Sequence, residues 1–301
     1  MTIERVAIVG LGLLGGSLGL ALARHCPDIV TTGYDSDPDT REQAMERGLT
    51  GTICATAAQA VADADLVVLC VPVGAMGYAA DAIRDALPAQ AIVSDVGSSK
   101  QSVVQTLRAA LPAHAVIPAH PVAGTERSGP QAGFAELFEG RWCILTPPQD
   151  ARDEDVTALS HLWERLGARI EIMDAAHHDL VLAVTSHIPH LIAYTIVGTA
   201  SDLEGVTRSE VIKYSAGGFR DFTRIAASDP TMWRDVFLSN RDAVLEMLGR
   251  FTEDLTALQR AIRNGDGDAL HDLFTRTRAI RQSIIESGQD DARPDFGRSH
   301  S

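Results

Sequence analysis

The sequence contains few cysteines and a deficit of positive charge. Its 301 residues include four cysteines without any Cys-x-x-Cys spacing, which excludes a zinc framework and a disulfide-stapled secreted domain. We expect buried thiols in a reducing compartment. Lysine and arginine number 26 against 40 aspartates and glutamates, and the formal net charge of −14 repels phosphate backbones. A nucleic-acid partner is therefore not expected.

Long apolar runs are also scarce. Glu4 precedes a short apolar run at residues 6–9, so we expect no secretory signal. Residues 180–198 form one longer apolar stretch that could imitate a membrane span, but His187 and His190 near its centre would be costly in lipid. We predict a buried helix of a soluble, cytoplasmic protein with no membrane partner.

Short, uninterrupted apolar runs alternate with helical patterns through the first half of the chain. Such runs predict strands that are covered on both faces, and their alternation with helices builds a parallel sheet. The predicted strands occupy residues 6–9, 29–34, 66–71, 91–94 and 115–117, followed by 141–146 and 169–173 around a helix at 153–166. The fold class is therefore α/β, a doubly wound parallel sheet of the Rossmann type.

After Met173 only helical patterns remain, at residues 174–203, 207–214, 231–263 and 266–286. The first of them is apolar nearly all round, so other helices must enclose it, and we predict that a second copy of the chain contributes to this as a homodimer. The predicted domains are a dinucleotide-binding domain at 1–173 and an all-α substrate and dimerisation domain at 174–286. A polar, disordered tail is predicted at 287–301.

A glycine-rich turn joins the first predicted strand to the first helix as Gly10-Leu11-Gly12-Leu13-Leu14-Gly15. The first glycine permits the turn, the second lets a pyrophosphate approach the backbone, and the third allows the helix to pack on the strand. Asp35 follows 20 residues after Gly15, where a carboxylate can bind the adenosine ribose, although a turn or helix-cap role is also open. A carboxylate there repels a 2′-phosphate and Ser36 follows it, so NAD is favoured over NADP.

Three segments after predicted strands meet at the carboxyl edge of the sheet, where such folds bind ligands. Val71 and Pro72 end the third strand, DVGSSK with Ser98 ends the fourth, and HPVAGTERSGP with His120 follows the fifth in a loop. Taken alone, His120 is equally consistent with a hydrogen-bonded loop histidine and with a catalytic one.

Two motifs in the helical half carry further chemistry. SHIPH places His187 and His190 three residues apart on one helix face, which is half of a metal site without a third ligand in view, so no metal is predicted. GGFRDFTRIA, which begins at Gly217, brings Arg220 and Arg224 onto a glycine-hinged turn. Arginine forks bind carboxylates, but a solvated or dimer-bridging charge pair is also possible.

Together these motifs resemble the prephenate/arogenate (cyclohexadienyl) dehydrogenase family of tyrosine biosynthesis, over about residues 3–285. The glycine fingerprint is common to many families, whereas HPVAGTERSG, SHIPH, GGFRDFTRIA and SDPTMWRDVFLSN in this order are far more specific. The resemblance implies NAD(P)-dependent oxidative decarboxylation by a dinucleotide-binding domain followed by a helical dimerisation domain.

The resemblance also implies roles for single residues. His120 accepts a hydrogen bond from the ring C4 hydroxyl as a neutral imidazole, and Ser98 lies close to this hydroxyl and to the nicotinamide. Arg224 binds the substrate side-chain carboxylate. The remaining expected substrate residues are His190, with His187 as its runner-up, Thr125, Gly217, and Glu126 as a gate that pairs with Arg224.

Two other functions remain open. A β-hydroxyacid dehydrogenase has the same fingerprint but uses a lysine on the first interdomain helix, and the chain's two lysines, Lys100 and Lys213, do not lie in a long predicted helix at the domain junction. A catalytically silent NAD-sensing dimer would not need His120, Ser98 and Arg224 around one pocket. Steady-state turnover discriminates between these classes.

Overall fold

The computed structural model describes residues 2–125, 127–202 and 217–286, so Glu126, Lys213, the predicted helix at 207–214 and the tail at 287–301 lie outside the described residues. Parallel strands form the main sheet in the order β3-β2-β1-β4-β5-β6, which confirms the predicted doubly wound sheet. The strands are β1 (Arg5–Val9), β2 (Val30–Tyr34), β3 (Thr52–Ile53), β4 (Leu66–Leu69), β5 (Ile92–Asp95) and β6 (Ala115–Val116).

Helices cover both faces of this sheet. They are α1 (Leu13–His25), α2 (Pro38–Glu46), α3 (Ala57–Val61), α4 (Met76–Ile83), α5 (Gln101–Ala110) and α6 (Asp153–Arg165). The strand β4 shows why its sequence is apolar at every position. Leu66 and Val68 belong to the apolar cluster on one face, and Val67 and Leu69 to the cluster on the other, because successive side chains alternate across a strand.

A second sheet corrects the prediction for His120. It consists of β7 (Ala119–Pro121), β8 (Trp142–Leu145) and β9 (Arg169–Ile172), with β7 antiparallel and β9 parallel to β8. The prediction of a loop at His120 was wrong, since His120 pairs with Ile144 inside β7. The apolar pattern of the sequence does not separate β7 from β6, because only two residues lie between them and the partner strand β8 comes much later in the chain.

The helical half contains more breaks than its periodicity predicted. Its described helices are α7 (Ala175–Leu182), α8 (Ile188–Asp202), α9 (Gly217–Thr223), α10 (Pro230–Ser239), α11 (Arg241–Asn264) and α12 (Gly267–Ile284). The predicted glycine-hinged turn at 217–226 is instead α9 followed by a 3-10 turn, Arg224–Ala227. The helix predicted at 231–263 is divided at Asn240, whose side chain bonds elsewhere, as described below.

A π-helical turn, Ala183–His187, interrupts the predicted helix 174–203 between α7 and α8. Pro189 follows it and has no amide hydrogen to donate to the preceding turn. A π-helical turn is wider than an α-helical one and therefore accommodates the proline. Ala175–Asp202 is long and apolar enough to cross a membrane by length and composition, and 28% of its most apolar window is buried inside the chain.

The chain divides into two compact units, Met1–Arg241 and Asp242–Ser301. The first unit contains both sheets and the helices α1 to α10. In the second, α11 and α12 are joined by a turn at Gly265, whose φ of 65° lies in the left-handed region. The predicted boundary at residue 173 falls within the first unit and stays a prediction.

Candidate active site

The three glycines of the turn after β1 stand in different surroundings. Gly10 has a φ of 98°, and a Cβ there would lie 2.6 Å from the carbonyl oxygen of Cys70. A Cβ on Gly15 would lie 1.9 Å from the Gly10 oxygen. A Cβ on Gly12 would meet nothing within 4 Å. Packing within the chain therefore requires the first and third glycines, whereas Gly12 leaves open space beside the backbone.

This open space lies at the start of α1. Gly12 is the N-cap of this helix, no side chain caps it, and its first turn, which begins with Leu13 and Leu14, carries no acidic residue. The amides of a first helical turn and the helix dipole favour a negatively charged group. The turn and the helix together fit a pyrophosphate.

Asp35 is fixed at the carboxyl end of β2. Its Oδ2 accepts the amide of Leu11 at 2.8 Å and its Oδ1 accepts the amide of Asp37 at 3.0 Å. The N-cap of α2 is Asp37 and not Asp35. Because a carboxylate can accept about four hydrogen bonds, Asp35 keeps acceptor capacity beside the glycine turn.

Val71 and Pro72 follow β4, the strand that pairs with β1. A Cβ on Gly10 would lie 3.0 Å from Cγ1 of Val71, so this loop borders the glycine turn directly. Pro72 is exposed and begins a 3-10 turn, Val73–Ala75. The glycine turn, Asp35, Val71 and Pro72 therefore lie together at one edge of the sheet.

A buried ion pair joins the loop after β5 to β7. Nζ of Lys100 lies 2.5 Å from Oδ2 of Asp95, and both side chains are fully buried. Nζ also donates to the carbonyl oxygen of Ala119 at 2.7 Å, while Oδ1 of Asp95 accepts the Ala119 amide at 3.3 Å. These bonds hold the loop with the half-buried Ser98 beside the strand that carries His120.

His120 belongs to a chain of buried hydrogen bonds. Its Nδ1 lies 2.8 Å from Nε2 of His178, and Nδ1 of His178 lies 2.8 Å from Oδ1 of Asp179. The Asp179 carboxylate also accepts the amides of Lys100 at 2.7 Å and Gln101 at 2.9 Å, and so caps α5. We call His120, His178 and Asp179 the imidazole chain.

Donor and acceptor rules set the protons along the imidazole chain. Asp179 accepts backbone amides through both oxygens, so His178 donates to it from Nδ1 and keeps a lone pair on Nε2. That lone pair accepts the proton on Nδ1 of His120. The neutral His120 ring therefore carries its lone pair on Nε2, where it can accept a proton from a ligand.

Burial keeps these rings neutral. It lowers the pKa of His120 well below 6.5, and the electrostatic influence of His178, Lys100 and His187, which disfavours a second positive charge nearby, lowers it further. The pKa of His178 is also lowered by burial, against the opposing effect of its bond to Asp179. At neutral pH, His120 is an acceptor of protons.

Asn240 follows the last residue of α10 and joins this helix to α7 and to the π-helical turn. Its Nδ2 donates to the carbonyl oxygen of Asp179 at 2.8 Å and to Nδ1 of His187 at 3.1 Å. His187 is completely buried, and burial is the largest cause that lowers its pKa to about 4. A buried asparagine that bonds outside its own helix favours a helix end at this position.

His190 and Arg224 are close enough to interact electrostatically. Nδ1 of His190 donates to the carbonyl oxygen of Ser186 at 2.9 Å, which leaves a lone pair on Nε2. The ring stacks on buried Trp233, with centroids 3.7 Å apart and planes at 24°. Burial lowers the pKa of His190 and the positive charge of Arg224 lowers it further. Within the described residues, no group of three histidine, cysteine or acidic side chains is placed to hold a metal ion.

Other predicted substrate residues are not joined to the imidazole chain by any hydrogen bond among the described residues. Thr125 accepts the amide of Arg127 at 3.2 Å, and Gly217 begins α9 on the surface. Arg220 is exposed and lies 3.7 Å from Asp221.

Two family profiles match nearly the whole chain. "Prephenate dehydrogenase, nucleotide-binding domain" matches residues 18–172, and "Prephenate dehydrogenase, dimerization domain" matches residues 174–276. The chain belongs to the prephenate dehydrogenase family. The family that the sequence motifs predict is thereby confirmed.

Individual members of the prephenate dehydrogenase family are similar over most of the chain. The cyclohexadienyl dehydrogenase of Zymomonas mobilis is 44% identical over 281 residues, which cover 93% of this chain and 96% of that protein. The prephenate dehydrogenase of Bacillus subtilis is 30% identical over 283 residues, covering 93% and 76%. The crystal structure of the A. aeolicus prephenate dehydrogenase with hydroxyphenyl propionate and NAD+ has a TM-score of 0.88 at 32% identity, covering 94% of this chain and 99% of that one.

Sequence reasoning identified the family but missed His178, Asp179 and Asn240. A signal was present, because His178 and Asp179 share the buried side of α7 with Leu182, while His177 on the same helix is exposed. Adjacent polar residues on the buried side of a helix need hydrogen-bond partners, and here these partners are His120 and the start of α5.

One cavity of about 560 Å³ lies away from this site. It is lined by the residues before β5, by β6 with the residues on either side of it, by Arg108 of α5 and by residues 148–155 around the start of α6. Its cations are already paired, Arg108 with Asp150 at 2.7 Å and Arg152 with Asp155 at 2.8 Å. The carboxyl edge therefore remains the candidate active site.

Proposed function

We propose that this chain catalyses the NAD-dependent oxidative decarboxylation of prephenate, arogenate or both, to 4-hydroxyphenylpyruvate or tyrosine. The observation that carries this proposal is the imidazole chain, which directs the lone pair of His120 away from His178 at the carboxyl edge of the sheet. The names of the relatives in Zymomonas mobilis and Bacillus subtilis support the substrate class.

The coenzyme is NAD, with NADP disfavoured. The space at Gly12 and the start of α1 would hold the pyrophosphate, and Asp35 would accept the ribose hydroxyls. Val71, Pro72 and Ser98 would line the nicotinamide end. Bound NAD+ supplies the hydride acceptor. The crystal structure of the A. aeolicus enzyme in complex with NAD+ supports this assignment.

The lone pair of His120 suits the reaction at ring C4. The hydroxyl at C4 donates to Nε2 of His120, and its proton shifts towards the ring nitrogen as the hydride leaves C4. The bond from the ring to the carboxylate then breaks, CO₂ departs, and the electron pair aromatises the ring. The proton returns to the phenolic oxygen. His178 and Asp179 keep the His120 ring in the tautomer that this transfer needs.

We assign substrate binding to residues of the helical half. Arg224 would bind the side-chain carboxylate, and His190, with its Nε2 lone pair, would contact the substrate beside it. Because His187 is completely buried and bonded to Asn240, its ring suits positioning the neighbouring side chains better than direct contact with the substrate. Thr125, Glu126 and Gly217 stay predicted substrate residues.

The geometry disfavours a β-hydroxyacid dehydrogenase. That chemistry needs a lysine free to act on a hydroxyl, whereas Lys100, the one lysine among the residues that the structure describes, is fully buried and bonded to Asp95 and Ala119. A silent NAD-binding protein would have no use for the imidazole chain. The discriminating experiment is a comparison of kcat/KM for prephenate and arogenate, each with NAD+ and NADP+. Turnover of either with NAD+ supports the proposal, and no turnover of any pair refutes it.

We also propose a homodimer in the cytoplasm. The match of residues 174–276 to a dimerisation domain supports it, as does the low burial of the apolar window within Ala175–Asp202. His178 and Asp179 lie in this stretch and bond to the sheet domain, which disfavours a membrane location for it.

The pH dependence of kcat/KM should report the neutral state of His120. Because burial lowers its pKa, falling pH protonates the ring only below 6.5, and protonation removes the acceptor for the C4 hydroxyl. We expect kcat/KM for prephenate to stay level from pH 8 down to about 6.5 and to fall below it. An acid limb centred above pH 6.5, or activity that rises on acidification, contradicts the assignment.

Replacing Arg224 by Ala should mainly raise KM. The guanidinium binds a carboxylate that does not react, so its contribution is shared by the ground state and the transition state. We expect KM to rise by about 10- to 100-fold, as for the loss of a charged hydrogen bond, with kcat changed much less. Arg220→Ala is the matched control on α9. An unchanged KM in Arg224→Ala would mean that another residue binds the substrate carboxylate.

A further inference from the structure

An arginine lies at the strand end that holds Asp35. Nη1 of Arg41, in the first turns of α2, donates to the carbonyl oxygens of Asp35 at 2.7 Å and Ser36 at 3.2 Å. Its guanidinium carbon lies 5.7 Å from the centroid of the Tyr34 ring. The half-buried guanidinium is thus held over the end of β2 by the backbone of the very residues that would face the adenosine ribose.

The remaining donors of Arg41 are available to a ligand. Its Nε and Nη2 groups make no hydrogen bond in the part of the chain that the structure describes, and no carboxylate there lies within ion-pair distance of it. Asp37, the N-cap of α2, is attracted electrostatically to Arg41, but its carboxylate accepts the Thr40 hydroxyl and the first amides of α2 and forms no ion pair with the guanidinium. A guanidinium with free N–H groups is well suited to a phosphate.

The charges at this strand end oppose one another. Asp35 stands beside the ribose position, and Asp37 and Asp39 follow it, so their field repels a 2′-phosphate. The positive charge of Arg41 attracts one. Ser36, the residue directly after Asp35 in the sequence, carries no charge, but Arg41, the fourth residue of α2, brings a positive charge to the carbonyl oxygens of Asp35 and Ser36.

We propose that Arg41 is a second determinant of coenzyme choice, a ligand for the 2′-phosphate of NADP whose attraction is outweighed by Asp35. The chain then discriminates against NADP by the carboxylate and retains a latent site for it. This inference rests on the proposed function only in placing an adenosine at Asp35.

The test measures binding and not turnover. Adenosine 5′-monophosphate and adenosine 2′,5′-bisphosphate differ only in the 2′-phosphate, and calorimetric titration gives both Kd values at one ionic strength of about 0.1 M. The variants are Asp35→Ser, Arg41→Gln and both together, with exposed Arg263→Gln as a control for net charge. The unchanged protein and the first three variants form a double-mutant cycle.

We expect the unchanged protein to prefer the monophosphate and Asp35→Ser to bind the bisphosphate roughly tenfold more tightly than the monophosphate. Arg41→Gln should remove this gain in the Asp35→Ser background and deepen the discrimination in the original one, while Arg263→Gln changes neither. Two results overturn the proposal. One is an equal loss of affinity for both nucleotides in Arg41→Gln, and the other is a preference for the bisphosphate that persists when Arg41→Gln is added to Asp35→Ser. If neither nucleotide nor NAD+ binds the unchanged protein, the proposed function fails instead.

Discussion

Replacing His120 by Asn is expected to lower kcat by about 10²–10⁴-fold, the usual cost of losing a positioned acid–base group. The amide nitrogen of an asparagine can still donate to Nε2 of His178, so the imidazole chain stays paired. Nothing then accepts the proton of the C4 hydroxyl at the position of Nε2. Steady-state turnover with prephenate or arogenate measures the effect.

The affinity for NAD+ separates this effect from a loss of structure. It should be unchanged in His120→Asn, because the proposed coenzyme contacts at Gly12 and Asp35 lie on other elements. His161→Asn, the same substitution on the exposed side of α6, is the matched control and should keep full turnover. Undiminished turnover in His120→Asn contradicts its role.

Replacing His178 by Leu is expected to lower kcat by about 10²-fold with little change in KM. The leucine removes the acceptor that holds the proton on Nδ1 of His120, so the ring is free to adopt the tautomer with its proton on Nε2. His178 is a better target than Asp179, because Asp179 also caps α5 and its loss would destabilise the fold.

A merely structural role for His178 would give a different result. His178→Gln keeps an oxygen acceptor near the position of Nε2 and should recover part of kcat, and the acid limb of kcat/KM should move in His178→Leu. His177→Leu replaces an exposed histidine on the same helix as the control. A lower Tm in His178→Leu with unchanged kcat and an unchanged pH profile refutes the positioning role.

Local patterns were sufficient for the nucleotide-binding half of the fold. The runs at β1 and β4 are apolar at nearly every position because helices cover both faces, and this property is visible in each strand by itself. The glycine turn and Asp35 are readable for the same reason, since each role follows from a neighbouring strand or helix in the chain.

The catalytic arrangement depends on contacts between distant residues. His120 meets His178 across 58 positions, and Asn240 meets Asp179 across 61. No periodicity encodes such a pair, so the imidazole chain stayed hidden although SHIPH and His120 were recognised. The same holds for Asn240, whose long-range bonds divide a helix that its own sequence pattern would continue.

The stoichiometry of one reaction tests the proposed oxidative decarboxylation most directly. The unchanged protein is given NAD+ and prephenate, and NADH, CO₂ and 4-hydroxyphenylpyruvate are quantified together, with arogenate and tyrosine as the parallel pair. We expect equal molar amounts of reduced coenzyme, CO₂ and aromatic product for one or both substrates. NADH without matching CO₂, or no NADH with either substrate, contradicts the proposed reaction.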